Sequence, residues 1–565
     1  MLIDKKILFI LLLGVIVFSW NIGSVDLISD DATYSYRALG YFDYLASAEQ
    51  TTPIQWFGSV PAWANLSFHD APPFVFGIQK VFFVLFGDNV VAARIPFVLA
   101  GVLTAYVIFL IANILWSKRA GYLSALIFIL MSFTLWSVNT GYLESIEVAF
   151  ICLSIYFWIK SSREHKKKNF YWWGLCFGLA LMSKYTAVFL LPLFIIDLFI
   201  YRRDMLRTRE IYIGVLILLL LLSPVIVYNI AMYSARGHFD APISSVVGME
   251  TDDFLSLSER RASFGMGSGL LSILRFLYKN ISFGLMVCFY LSFYYYIYSF
   301  IFKSGFKSKK QLLLLMALML VLILLVLVGV ESRFLIILIP FVVLIIAFGF
   351  DVFFGFLQQK NSRLWLYFGC VALFLVLGFE LFYNINSNFL INQIGSSSYL
   401  QAEQNLSQRK LGFNSLDKYI RENVLPQELE LKRPENLADI DSRAAQFVAE
   451  NNVMYFFDDS ANWFAHNWYF RRYSNYYGLP MVPFHEQSKV VGSANLFDYY
   501  SKLGIKNFYF IYMQDERLID SKKADQPIRE MATKVATVLD GSEVEKKEIK
   551  NRLGEVVAAV YYVEL

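Results

Sequence analysis

Ionisable residues are scarce in this sequence. Asp, Glu, Lys and Arg together make up 17% of its 565 residues, whereas an ordinary soluble chain carries about 25%. So little charge cannot cover a water-exposed surface of this size, which excludes a wholly soluble globular protein. Cysteine is scarcer still, with four in all. Cys152, Cys176, Cys288 and Cys370 each fall inside an apolar run, which leaves no disulfide framework and no CxxC metal pattern. They read as packed or lipid-facing thiols. A net charge of +4 is too small to mark a nucleic-acid binder, so what matters is where the charges lie. Internal repeats and low-complexity linkers are missing as well.

Apolar residues are in excess: 57% are hydrophobic and 18% aromatic, with a mean hydropathy of +0.49. That excess has to sit in lipid. A membrane helix needs about 20 mostly apolar residues, and eleven runs qualify as candidates: 7–23, 90–115, 120–138, 143–159, 170–183, 185–201, 211–233, 280–302, 311–330, 333–354 and 364–384. Lys5 and Lys6 precede the first run as they would in a signal peptide. It continues to Asn21-Ile22-Gly23 with no small-residue cleavage site, so it reads as a span.

Loop charge tests this count. With the N-terminus inside, the inner connections carry Lys5/Lys6, Lys118/Arg119, Lys160 to Lys168, Arg202 to Arg209, Lys303 to Lys310 and Lys360/Arg363, and every one is basic. The short outer connections hold almost no cation. Three long segments then face outward: 24–89, 234–279, and everything after about 385. In the first, Phe74 to Phe86 is apolar but only 13 residues long, which predicts an interfacial helix. In the last, helical patterns at 416–423 and 442–451 alternate with strand-like runs at 453–457, 507–512 and 556–563. The predicted fold class is therefore a polytopic α-helical membrane domain over 1–384 with a C-terminal extracytoplasmic α/β domain over 385–565.

Ionisable groups at membrane depth are costly and point to function. Here they gather at the predicted outer boundary. Asp30 and Asp31 follow span one, with Arg37 beyond them. His69 and Asp70 introduce the interfacial helix, and Arg94 opens span two. Glu144 and Glu147 open span four, Lys184 lies between spans five and six, and Glu331 and Arg333 lie between nine and ten. Glu380, near the outer end of span eleven, is an exception to otherwise charge-free helix interiors. Singly, each has a plain explanation: helix capping for the acids, snorkelling to headgroups for the cations. Five connections presenting such groups at one face is the signal. The geometry expected is one outward cavity shared by Asp30, Asp31, Glu144, Lys184 and Arg333, with Tyr34, Trp56 and Trp63 at its rim. A base beside cations at the lipid boundary suits a lipid-phosphate substrate: cations hold the phosphate as it leaves, and an aspartate takes a proton from the attacking hydroxyl. In the tail, Asp458-Asp459 reads as a loop rather than a site.

These residues resemble the GT-C superfamily of polyprenyl-phosphate-sugar glycosyltransferases, in the branch of protein O-mannosyltransferases and lipid A aminoarabinose transferases. The resemblance covers most of 1–350. It rests on Asp30-Asp31, His69-Asp-Ala-Pro-Pro73, the phrases at 85–87, 92–96 and 119–126, Glu144, Ser183-Lys184, and Arg333-Phe334-Leu335 with Pro340. Ala71 stands where the aminoarabinose transferases place lysine, and Thr33 where an arginine is often found. The resemblance implies a donor sugar on a polyprenyl phosphate and a single inverting displacement by an acceptor hydroxyl of a lipid, glycan or protein. It implies Asp30 as base, Asp31 orienting the acceptor or ligating a divalent cation, and Glu144 assisting. Arg94, Lys184, Arg333 and Arg37 would hold the phosphate, with His69, Asp70 and Glu147 in support. The competing class is a transporter or flippase of polyprenyl-linked sugars, which would place its ionisable groups near the midplane on broken helices. A sensor read through the outer domain has no positive signal.

Overall fold

An apolar run in lipid has to bond every backbone N–H and C=O within its own segment, and a helix does that. In the computed structural model each of the eleven apolar runs is helical. Residues 4–40, 71–161, 167–249, 266–303, 309–360, 362–434, 437–492, 495–520, 522 and 526–565 are described. The helices that matter below are α1 (Lys5–Ser19), α2 (Asp30–Gly40), α3 (Phe74–Phe86), α4 (Val90–Leu115), α5 (Lys118–Leu130), α6 (Ser132–Thr140), α7 (Leu143–Ser161), α8 (Asn169–Ser183), α9 (Arg209–Arg236), α10 (Ala241–Val247), α11 (Met266–Asn280) and, near the end of the membrane part, α12 (Arg363–Asn384). The predicted 13-residue interfacial helix is α3, with the same bounds.

Six helices among the described residues are long and apolar enough to cross a membrane, and a seventh crossing follows if the bent pair α5–α6 is one span. The other four apolar runs differ for identifiable reasons. Helices α1 and α8 have 15 residues each, and α7 has 19 but carries Glu144, Glu147 and Lys160. The run at 185–201 is split into a 3₁₀ turn, a short α-helix and a π-turn. All four cysteines are free thiols.

The chain divides into two units. The first holds the described residues within Met1–Trp20, Leu45–Ile78 and Arg94–Ser407. The second holds those within Asn21–Tyr44, Gln79–Ala93 and Gln408–Leu565.

In the first unit the exceptional charge of the membrane part, Glu380, has a structural role. Helices α5 and α6 meet at 61° because Met131 takes an extended conformation, which frees backbone groups inside an apolar bundle. Helix α12 satisfies them. Glu380 Oε1 accepts the Ser132 N–H at 3.1 Å, Asn384 donates to the Leu130 carbonyl at 2.8 Å, and Asn388 donates to the Ser132 hydroxyl at 2.9 Å. Unbonded, each such group would cost about 1–3 kcal/mol. Elsewhere the helices approach at glycines. A Cβ on Gly174 of α8 would lie 2.0 Å from the Gly214 carbonyl oxygen of α9, and one on Gly214 would lie 2.4 Å from the Phe170 carbonyl oxygen. Only glycine permits this crossing.

The second unit is built on a five-stranded sheet: β1 (Val453–Phe457), β2 (Met481–Pro483), β3 (Asn507–Met513), β4 (Glu545–Lys550) and β5 (Val556–Glu564). Its order is β2-β1-β3-β5-β4, with β1 parallel to β2 and β3 and β5 antiparallel to β3 and β4. One face carries the core of Phe456, Phe484, Phe508, Phe510 and Tyr561. On strand positions one residue away, Tyr455 and Tyr509 stack at 5.5 Å, and Tyr509 and Tyr562 meet tilted at 5.0 Å. Strand β1 is buried throughout, so it reads as a continuous apolar run. Strand β4, Glu-Lys-Lys-Glu-Ile-Lys, is charged because it lies at the sheet edge, where exposed backbone groups invite mispairing. Asp458 and Asp459 are buried staples. Asp458 accepts the Met513 N–H at 3.3 Å and an Arg529 bond at 3.0 Å, and Asp459 accepts the His485 and Glu486 N–H groups at 3.1 and 3.0 Å.

Two early segments belong to this unit through specific bonds. The Asp26 carboxylate accepts three backbone N–H groups, from Leu411 at 2.7 Å, Gly412 at 2.8 Å and Asn414 at 2.9 Å. Asp88 binds Arg421 through two bonds, one of them 3.0 Å, and lies 3.9 Å from fully buried Arg472. Arg472 in turn holds Asp417 at 2.5 and 2.6 Å and stacks over Trp468 at 4.3 Å. Burial pushes the Asp88 carboxyl upward, but Arg472 and Arg421 outweigh it and the net shift is downward.

Two outcomes are expected. Gly174→Ala destabilises the detergent-extracted chain by about 2 kcal/mol or more, while Gly378→Ala, which meets nothing within 4 Å, does not; thermal unfolding of both variants checks this. Because Asp88 is depressed in the folded state, its contribution is fully present above the unfolded value of about 3.9 and is lost as pH falls through the lower folded value. Asp88→Asn is accordingly less stable than wild type near neutrality but loses less stability between about pH 5 and pH 3, as read from unfolding midpoints across that range.

Candidate functional site

A buried centre in the first unit forms where α8 ends. Ser183 closes α8 and Lys184 turns extended (φ −163°, ψ 142°), beginning the 3₁₀ turn Tyr185–Phe189. Three consecutive side chains at that turn each reach a different carboxylate. Lys184 forms a charged hydrogen bond to Glu144, the Tyr185 hydroxyl donates to Asp240 Oδ2 at 2.6 Å, and the Thr186 hydroxyl donates to Glu147 Oε1 at 2.6 Å. Glu144 and Glu147 are three residues apart and share a face of α7, with Glu144 in its first turn, where the helix dipole favours negative charge. Both are fully buried. Asp240 is buried too and caps α10 by accepting the Ile243 N–H at 3.2 Å, while Asn229 of α9 donates to it at 3.2 Å.

The ring of Phe334 carries both cations, with Lys184 Nζ 4.4 Å and Arg333 Cζ 4.9 Å from its centroid. An aromatic face over two cations lets them sit near one another in an apolar setting. Glu144 Oε2 and Glu147 Oε2 accept no hydrogen bond from any described residue. Buried acceptors of this kind reward an incoming donor strongly, because leaving them unmet is costly. Arg94 is completely buried in α4, so it does not snorkel to the surface.

Asp30, Asp31 and Arg37 lie in the second unit, on α2. Asp30 and Asp31 open that helix rather than standing in a loop after the first span. Asp31 is buried, and its Oδ1 accepts the Ser29 N–H and hydroxyl at 3.0 Å each and Arg409 at 2.9 Å. Asp30 is half-buried. Arg37 is buried. The expected residues thus divide into Glu144, Glu147, Lys184, Arg94 and Arg333 in one unit and Asp30, Asp31 and Arg37 in the other. His69, Asp70, Trp56 and Trp63 lie outside the described residues. No three His, Cys, Asp or Glu side chains converge as a metal site among the described residues, and Asp31 accepts a hydrogen bond from Arg409.

Sequence reasoning missed Asp240, Tyr185, Thr186 and Arg409, and named Phe334 only as part of a motif. For Tyr185 and Thr186 a signal existed, since two polar residues directly follow the lone lysine of an apolar stretch. Asp240 had a weaker one, as an acid before Ala-Pro at a helix start.

Comparison with known proteins gives three results. Residues 70–228 match the family model described as dolichyl-phosphate-mannose-protein mannosyltransferase. No curated protein sequence matches the chain. The fold is shared with solved structures at low identity. One is ArnT from Cupriavidus metallidurans bound to undecaprenyl phosphate, with TM-score 0.53 and 11% identity over 99% of this chain and 98% of ArnT. Another is the Archaeoglobus fulgidus oligosaccharyltransferase AglB in complex with an inhibitory peptide and a dolichol-phosphate, with TM-score 0.51 and 13% identity over 90% of this chain and 69% of AglB. The GT-C resemblance read from the sequence is therefore found again in a family match and in the fold.

Removing one member of the Glu144–Lys184 pair strands the other in an apolar interior. Glu144→Ala and Lys184→Ala are each expected to cost about 3 kcal/mol or more, and the double variant less than the sum of the two. Unfolding of the three variants in detergent, analysed as a double-mutant cycle, measures the coupling.

Proposed function

We propose that the chain is a membrane glycosyltransferase that moves a sugar from a polyprenyl-phosphate carrier to an acceptor hydroxyl. The supporting observation is the pair of cations, Lys184 and Arg333, over one aromatic ring beside buried Glu144 in a bundle of ArnT-like fold. The family match at 70–228 supports the same class, and ArnT and AglB were solved with polyprenyl phosphates bound.

In the proposed reaction the acceptor oxygen attacks the anomeric carbon and the bond from that carbon to the phosphate oxygen breaks. The electron pair leaves with the polyprenyl phosphate, and the acceptor proton passes to a carboxylate base, the role that the GT-C resemblance implies for Asp30. The sugar arrives inverted. Lys184, Arg333 and Arg94 hold the phosphate and neutralise the charge that grows on its leaving oxygen. Glu144 keeps Lys184 extended, and its open Oε2 takes a hydrogen bond from a sugar or acceptor hydroxyl. The acceptor is a hydroxyl of a lipid, glycan or protein. The basic inner loops support a cytoplasmic N-terminus and an extracytoplasmic tail in the cell's inner membrane.

Purified chain in detergent, supplied with a radiolabelled polyprenyl-phosphate sugar and an envelope extract as acceptor source, is expected to release free polyprenyl phosphate and label an acceptor. A flippase would do neither. Asp30→Asn is expected to lower turnover by about 10²–10⁴ with normal expression and insertion. Wild-type turnover in that variant would remove Asp30 from the role of base.

A further inference from the structure

We propose that a cavity of the second unit, bordered by Ser24, Asp26, Lys410, Ser415, Lys418 and Arg552, is a binding site for a phosphate-type oxyanion. Its occupant is either free phosphate or the headgroup phosphate of an anionic lipid. The site shares no residue with the Lys184 centre and does not depend on the glycosyl-transfer reading.

The cavity encloses about 190 Å³, below the roughly 300–1,000 Å³ of sites for drug-sized molecules. It suits a compact group such as a phosphate and is too small for a whole sugar-lipid. Its lining presents three cations, Lys410, Lys418 and Arg552, against one carboxylate, Asp26. That carboxylate does little to repel an anion, because both its oxygens accept backbone N–H groups: Oδ2 from Leu411 and Gly412, Oδ1 from Asn414. The lining is therefore net positive, three cations against one screened acid.

Two of the cations, Lys410 and Arg552, stand on held backbone. Lys410 follows Arg409, which is anchored to Asp31. Arg552 sits on a tight turn held by Asn551, whose Oδ1 accepts the Leu553 and Glu555 N–H groups at 2.9 and 3.1 Å. Gly412, at the cavity wall, has φ +117°, and a Cβ there would lie 2.8 Å from Val557 Cγ2. The wall is thus a backbone surface that no side chain could replace without strain. Lys418 is itself exposed and lies 3.9 Å from exposed Glu422, a contact of little strength. Burial, and then the like charge of Arg552, press the Lys410 ammonium toward losing its proton; a bound oxyanion relieves the second of these. In sequence, Ser24 follows the apolar helix α1 by five residues, which is why a lipid headgroup stands beside free phosphate as a source.

The test uses the full chain purified in an uncharged detergent. Binding of radiolabelled inorganic phosphate is measured by equilibrium dialysis. Retention of phosphatidylglycerol over phosphatidylcholine is measured by native mass spectrometry after reconstitution in mixed vesicles of the two. The variants are Lys410→Gln/Arg552→Gln and, as a control of equal charge change, Lys502→Gln/Lys534→Gln. Each is first checked for an unchanged melting temperature, and the single variants replace any double that melts early. Wild type and control are expected to bind, and the cavity variant to bind about tenfold more weakly or less. Phosphate binding without lipid preference assigns the site to free phosphate, and selective phosphatidylglycerol retention assigns it to a headgroup. The proposal is overturned if wild type shows neither, or if the cavity variants bind both probes as wild type does.

Discussion

A charge inside a bundle of apolar helices persists only where an opposite charge and hydrogen-bond donors meet it, because the desolvation of a single ion there exceeds any gain from packing. The Glu144–Lys184 pair meets that condition, and much of the first unit's geometry follows from it. Lys184 has to leave the helical conformation to reach Glu144, which ends α8. The turn that results delivers Tyr185 to Asp240 and Thr186 to Glu147. Through Asp240 the same turn fixes the start of α10 against α9. One ion pair therefore organises four helices around a polar centre.

The same requirement explains charges that have nothing to do with chemistry. Glu380, Asn384 and Asn388 exist to satisfy the break between α5 and α6. In the second unit, Arg472 is as deeply buried as any described residue, and it is tolerated because Asp417, Asp88 and the Trp468 face surround it. A buried ionisable group is thus a poor guide to function by itself. What separates the Lys184 centre from these clusters is that three consecutive side chains of one turn each reach a different buried carboxylate.

Fold similarity at 11–13% identity is consistent with such an arrangement. A helical bundle tolerates wholesale exchange of its apolar surface residues, provided that close crossings such as Gly174 on Gly214 keep their small residues and the buried polar groups keep partners.

Local signals were legible in the sequence itself. Run length and composition located every apolar helix, the bounds of α3, and strands β1, β3 and β5, since burial on one face or on all faces leaves a periodic or continuous apolar mark. They also singled out Glu144, Glu147, Lys184 and Arg333, because charge in an apolar context is conspicuous. Strand β4 escaped notice for the opposite reason: an exposed edge carries no apolar mark. The count of crossings, eleven by pattern against six or seven by helix length and composition, turns on helix ends and bends that pattern does not record. Pairing was decided by tertiary structure alone. Arg409 meets Asp31 across 378 residues and Tyr185 meets Asp240 across 55, and the angle at which helices cross selects the carboxylate a given donor reaches. A sequence records that a residue is buried and polar; which distant atom satisfies it depends on the packing.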